Sequence, residues 1–237
     1  DIHTWDQTIN PYGRDKVEEY KINTLLPRRY GGTLSWLAAE GKDEEQTDGI
    51  GATEAINQLE NFANNGQNFF LALGFYRPHT PYVAPKKYFD LYERSTIEIP
   101  KSQKKYLATL PLPAAKSLRA KKVQLNLEEE LAKEIKEAYY ATTSFVDAQL
   151  GRVLEKLKQT GLDKNTIIVF TSDHGYHLGE HGHWQKQTLF ENATRVPLIF
   201  SVPWTETTIK RTNTPVELID IYPTTVSYTH LTLPTTD

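Results

Sequence analysis

Residues Thr171–Trp184, TSDHGYHLGEHGHW, hold four of the chain's seven histidines, with an aspartate and a glutamate among them. Imidazoles and carboxylates are the side chains that ligate metal ions and carry protons near neutral pH. Asp173 and His174 are adjacent and followed by Gly175. A carboxylate beside an imidazole suits an oxygen-preferring cation such as Ca²⁺ or Mg²⁺, if further carboxylates arrive from elsewhere. The same pair also suits a simple loop cap. His177, His181 and His183 suggest zinc together with His174, but their spacing is not that of a helical HExxH pair. Gly175, Gly179 and Gly182 also interrupt any helix there. These three histidines, with Glu180, are read as loop scaffolding. Lys186, two residues beyond Trp184, is placed to bind an anionic substrate beside a metal, the alternative being a solvated lysine. His79 lies between Pro78 and Thr80-Pro81, and proline rigidity would fix its ring as an acid, base or anion donor. A lone loop histidine is otherwise structural.

The elements that must position these residues alternate between helix and strand. From Thr53 to Gly66, Ala55, Ile56, Leu59 and Phe62 recur at helical spacing, with Thr53 as N-cap and Gly66 beyond the end. Asn68–Gly74 is a continuous apolar run, expected to be a strand buried on both faces. The prolines at 78, 81 and 85 predict an irregular loop leaving its carboxyl end. A long helix is expected from a capping box at Asn126 and Glu129, with Gly161 at its C-terminus. Its apolar stripe runs through Leu131, Ile135, Ala138, Thr142, Phe145, Gln149 or Leu150, Val153 and Leu157. Thr166–Phe170 and Val196–Val202 read as further buried strands. The fold class is therefore α/β with a layered sheet, and both histidine-bearing loops leave strand ends, where such sheets bind ligands.

Composition narrows the function. With 27 basic and 30 acidic residues the net charge is −3, which argues against a general nucleic-acid binder. No apolar run reaches the roughly 20 residues of a membrane span, and no signal segment is visible. Cys and Met are both absent, which excludes disulfides and thiolate metal sites. Residues 99–127 contain seven Lys or Arg and no acid, read as a solvated loop or a polyanion-binding rim. Residues 1–48 are a loop-rich lead-in. Val226 to Thr236 read as the in-frame translation of a sequencing-library adapter, so 226–237, including His230, are expected to be a non-native tail.

FFLALGFYRPHTPYVAPKKYFDLY, SFVDAQLGRVLEKL, NTIIVFTSDHGYHLGEHGHWQK and ATRVPLIF, in that order, resemble the type I sulfatases of the alkaline-phosphatase superfamily, in the iduronate-2-sulfatase-like branch. The resemblance runs from about Gly49 to Thr225. It implies part of an alkaline-phosphatase-like α/β/α domain with a mostly parallel sheet over residues 1–225. It implies a divalent cation, usually Ca²⁺, held in part by Asp173 and His174. It implies that His79 contacts the sulfate group, and that Lys186 binds sulfate oxygens and can protonate the leaving oxygen. The substrate implied is a sulfated carbohydrate or other sulfate ester, and the setting periplasmic or secreted. The family's nucleophile is a formylglycine made from Cys or Ser in a Cys/Ser-x-Pro-x-Arg motif. Here the one Ser-x-Pro, Ser201-Val202-Pro203, is followed by Trp204-Thr205. The nucleophile and the first pair of metal-binding aspartates are thus expected upstream of Asp1. Other readings are a phosphomonoester or phosphonate hydrolase of the same superfamily, and a non-catalytic, metal-stabilised glycan-binding homologue.

Overall fold

The computed structural model describes residues 4–101, 104–118, 122–125, 127–206 and 211–229. Its spine is the helix Glu129–Gln159, 31 residues long. Ile135, Ala138, Thr142, Phe145, Gln149, Val153 and Leu157 are buried along it, as their spacing predicts. The helix begins where the Glu128 carboxylate accepts from the Leu131 amide at 3.0 Å. Glu129 and Glu130 then meet the positive end of the helix dipole, and Lys156 and Lys158 the negative end. Asn126, the expected cap, lies outside the described residues. Gly161 takes the left-handed conformation just past the helix, at φ 75°.

Three strands form one sheet in the order β1 (Asn23–Thr24), β2 (Ser35–Ala39) and β3 (Tyr82–Pro85). β2 and β3 run parallel, with Trp36 opposite Tyr82 and Ala39 opposite Pro85. The proline segment is therefore not wholly irregular. Pro85 closes β3, where a missing N–H removes only a terminal ladder bond. Leu34, Trp36, Tyr82 and Ala84 pack against Ala132, Ile135, Ala138 and Phe145 of the long helix to form the main core.

A second core lies along the helix Thr47–Asn65, whose Ala52, Ala55 and Leu59 meet Val153 and Leu157. This helix starts at Thr47 rather than at Thr53. Gly49 does not break it; a Cβ there would stand 1.7 Å from the Asp43 carbonyl oxygen, so glycine is what lets the two backbones touch. Gly66 ends it in the left-handed region, as expected.

The expected two-faced burial of Asn68–Gly74 is not realised. The segment runs without strand pairing in the assigned sheets, Phe69, Leu71 and Leu73 facing the second core while Phe70 is 80% exposed. β4 (Ile168–Thr171) and β7 (Leu198–Ser201) likewise leave Phe170 and Ile199 exposed. They pair antiparallel, Ile168 opposite Ser201, because the chain returns beside β4 through a loop rather than by a helical crossover. β5 (His177–Leu178) and β6 (Trp184–Gln185) form a small antiparallel hairpin. Among the described residues, parallel pairing is thus confined to β2 and β3. A final helix, Ile221–Thr229, extends into the segment expected to be a non-native tail, and 230–237, with His230, lie outside the described residues.

Candidate functional site

His79 is presented by a loop that buried polar groups hold at both ends. The Asp48 carboxylate accepts from the amides of Tyr76 and Arg77, both at 2.9 Å. The Arg77 guanidinium is buried; it donates to Asp15 Oδ2 at 2.7 Å and to the Val83 carbonyl at 3.1 Å. Asp15 in turn accepts from the amide and hydroxyl of Thr47. On the far side, the Thr80 hydroxyl donates to the Thr33 carbonyl at 3.0 Å and accepts from the Ser35 amide at 3.2 Å. Burial of Asp48 raises its pKa, partly offset by the Arg77 charge.

Asp173 and His174 follow β4 directly. Gly175 is required there, since a Cβ would meet the Asn192 carbonyl oxygen at 2.2 Å. His174 Nδ1 lies 2.7 Å from the Gly175 carbonyl, an acceptor only, so Nδ1 carries the ring proton. Nε2 then offers its lone pair and accepts from Lys186 Nζ. His79 repeats the device, its Nδ1–H donating to the Thr80 carbonyl at 2.6 Å and leaving the lone pair on Nε2. The two imidazoles sit 6.3 Å apart between centroids. Partial burial lowers the His79 pKa, and the charges of Lys186, His174 and Arg77 lower it further against the raising effect of the Thr80 carbonyl. Lys186, His79 and His174 therefore lie together, in surroundings that favour an added anion.

Lys186 is aimed by the β5–β6 hairpin. Gln185, just before it, holds a positive φ of 71° and is buried. Tyr176 bonds Tyr82 hydroxyl to hydroxyl at 2.6 Å, tying this loop to β3 beside the His79 loop. His177 is fully buried with Nε2 2.7 Å from the Thr188 hydroxyl, His183 is buried against it, and His181 packs on Phe190. That is scaffolding. Burial, with His183 and His181 nearby, pushes the His177 pKa down to about 4.

Asp173 Oδ1 stands 3.6 Å from His174 Nε2, and its side chain is 83% exposed. The two donors fit one edge of an oxygen-and-nitrogen coordination shell, and His174 is already in the tautomer that ligates through Nε2. They do not complete it: Ca²⁺ takes about six to eight ligands, and no group of three or more candidate ligands occurs among the described residues. Asp15, Asp48, Arg77 and Tyr176 were not singled out from sequence. The signal available was an arginine directly before the Pro-His pair, but its partner is remote in the chain.

The sulfatase family model matches residues 4–231. A sulfatase from Formosa agariphila is 44% identical over 203 residues, covering 83% of this chain and 39% of the relative. Human iduronate 2-sulfatase is 36% identical over 161 residues, 63% of this chain and 29% of that protein. Among solved structures, a phosphonate monoester hydrolase from Silicibacter pomeroyi superposes with a TM-score of 0.61 at 28% identity, covering 70% of this chain and 34% of the other. The chain thus spans about two-fifths or less of the length of these relatives.

Removing one partner of the buried Arg77–Asp15 pair should leave an uncompensated charge. Arg77→Met is expected to cost about 3–5 kcal/mol in urea unfolding, and Asp15→Leu with Arg77→Met clearly less than the two single losses summed. Strict additivity would show that the pair is not coupled. His177 is held neutral, so its contribution to stability is complete above its unfolded pKa of 6.5 and is lost as pH falls towards about 4. His177→Gln should flatten the stability profile across that window; an unchanged slope would assign the acid sensitivity to other groups.

Proposed function

Since the chain belongs to the sulfatase family, we propose that it forms part of the active site of an enzyme hydrolysing sulfate esters, with sulfated glycans as substrate class. The observation that carries this reading is the convergence of Lys186, His174 and His79 on one cationic, partly shielded spot. The Lys186 ammonium would bind sulfate oxygens by charge-assisted hydrogen bonds. Both His79 Nδ1 and His174 Nδ1 are committed to backbone carbonyls, so His79 reaches an anion only through Nε2 and only when that atom gains a proton. An anion bound beside it would favour that proton. As the ester bond breaks, negative charge grows on the leaving oxygen, and Lys186 is the group placed to donate a proton to it.

Asp173 and His174 would contribute to a site for Ca²⁺, or less suitably Mg²⁺, with ligands from outside the described residues. Such an ion would withdraw charge from the sulfate oxygens. The attacking group is proposed to be a formylglycine supplied from the part of the family fold that this chain does not span. A periplasmic or secreted setting accompanies that reading; no helix among the described residues is long and apolar enough to cross a membrane. The phosphonate hydrolase likeness supports a second reading, transfer from phosphorus rather than sulfur esters, at the same residues.

In the enzyme assembled with its remaining portion, Lys186→Ala and His79→Ala should each lower kcat/KM for a sulfate ester by several orders of magnitude. Asp173→Ala should deplete bound Ca²⁺ by elemental analysis. Unchanged kinetics would return both residues to structural roles, and a larger loss against phosphonate esters would favour the second reading. In the 237-residue chain itself, the His79 ring should titrate below 6.5 by NMR and move upward when inorganic sulfate is added. A midpoint that ignores sulfate would remove His79 from the anion site.

A further inference from the structure

The basic run between residues 99 and 127 has so far been given no role, and its placement supplies one. It is not a free loop. Where it begins, Ile99 and Pro100 lie against Gly179; a Cβ on that glycine would be 3.3 Å from the proline ring. Further along, Tyr106 stacks on His181 at 5.5 Å and 22°. Near its end, the fully buried Gln124 donates to Gln185 Oε1 and Thr33 Oγ1, both at 3.2 Å. Gly179, His181 and Gln185 all lie on the loop that aims Lys186. Between the run and that loop an open cavity of about 190 Å³ is lined by Ile99, Pro100, Gly182 and Trp184.

The charges on this rim are unspent. Lys101, Lys105, Lys116 and Lys122 are exposed or half-exposed, and among the described residues none of them forms an ion pair. The acids on the neighbouring helix are already engaged: Glu129 and Glu130 pair with Lys133, and Glu134 and Glu137 with Arg94. A local excess of unpaired lysines on a chain of net charge −3 is a directed feature rather than a general basic surface.

We infer that Lys101, Lys105, Lys116 and Lys122 form a basic rim that holds anionic groups of a polysulfated glycan beyond the one sulfate engaged by Lys186. This rests on the sulfate-ester reading above and sharpens it, since the rim selects chains carrying several sulfates over small monosulfate esters. A nucleic acid or an anionic membrane would also meet lysines, but neither has reason to continue into a site built for a single sulfate.

The test is equilibrium binding of dextran sulfate to the full chain, followed by calorimetry at several salt concentrations, for the wild type and a variant with Lys101, Lys105, Lys116 and Lys122 all changed to Gln. All four are surface residues; circular dichroism, together with the single substitutions, separates any folding defect from lost contacts. The variant should bind about tenfold or more weakly, with a shallower dependence of log affinity on log salt. In the assembled enzyme the same variant should keep turnover of a small aryl sulfate while losing preference for the polysulfated chain. Equal affinity of wild type and variant would overturn the rim. Equal or tighter binding of duplex DNA or phosphatidylserine vesicles would overturn the glycan as its ligand. Salt-dependent glycan binding by the full chain, without turnover of any sulfate ester by the assembled enzyme, would uphold the rim while sinking the hydrolase reading on which its selectivity rests.

Discussion

The buried Arg77 guanidinium is the constraint around which the candidate site is arranged. A guanidinium shielded from water must be paired and its donors satisfied, or the structure loses several kcal/mol. Asp15 supplies the charge and Val83 a carbonyl, while Asp48 takes the backbone amides on either side of the Tyr76–Arg77 bond. Those partners come from the lead-in segment, from the start of the Thr47–Asn65 helix and from β3. Satisfying one side chain therefore fixes three elements relative to one another. His79 follows two residues later and inherits that fixity, which is what an anion site needs if its geometry is to exist before the ligand arrives.

A second linkage carries the same order to the other half of the site. Tyr82 is buried and Tyr176 half-buried, with their hydroxyls bonded at 2.6 Å, and desolvation drives both phenol pKa values well up, so each stays a neutral partner. β3 and the Asp173–Lys186 loop are thereby held in a defined relation. The outcome is electrostatic as well as geometric. Arg77, Lys186 and two imidazoles crowd one region, where burial and the neighbouring positive charges disfavour protonation of His79 in the free protein. An arriving anion reverses that preference at His79.

Much of this was legible in the sequence, for identifiable reasons. The long helix announces itself because its apolar residues recur along one continuous face, and Asp173, His174, Lys186 and His79 stand out because their types and proline or glycine neighbours are local features. Arg77, Asp15 and Asp48 are not local: the pair lies 62 residues apart in sequence, and a buried charge looks like any surface charge until its partner is known. The start of the Thr47–Asn65 helix was hidden for a related reason. Glycine is a poor helix former, yet the structure uses Gly49 for close backbone packing against Asp43, a contact with no periodic signature.

The strands raise a different point. Asn68–Gly74 and Thr166–Phe170 have the uninterrupted apolar composition of strands covered on both faces. In this chain one face is covered, and Phe70, Phe170 and Ile199 stand exposed on the other. Composition and burial disagree by one layer, in a chain spanning about two-fifths of the length of a relative 44% identical to it. The coordination chemistry falls short in the same place. Asp173 stands just past the end of β4, the strand that exposes Phe170, and it offers its carboxylate to solvent with only His174 beside it. Under the proposed metal reading, a segment covering the open face of β4 would also be placed to supply further ligands beside Asp173.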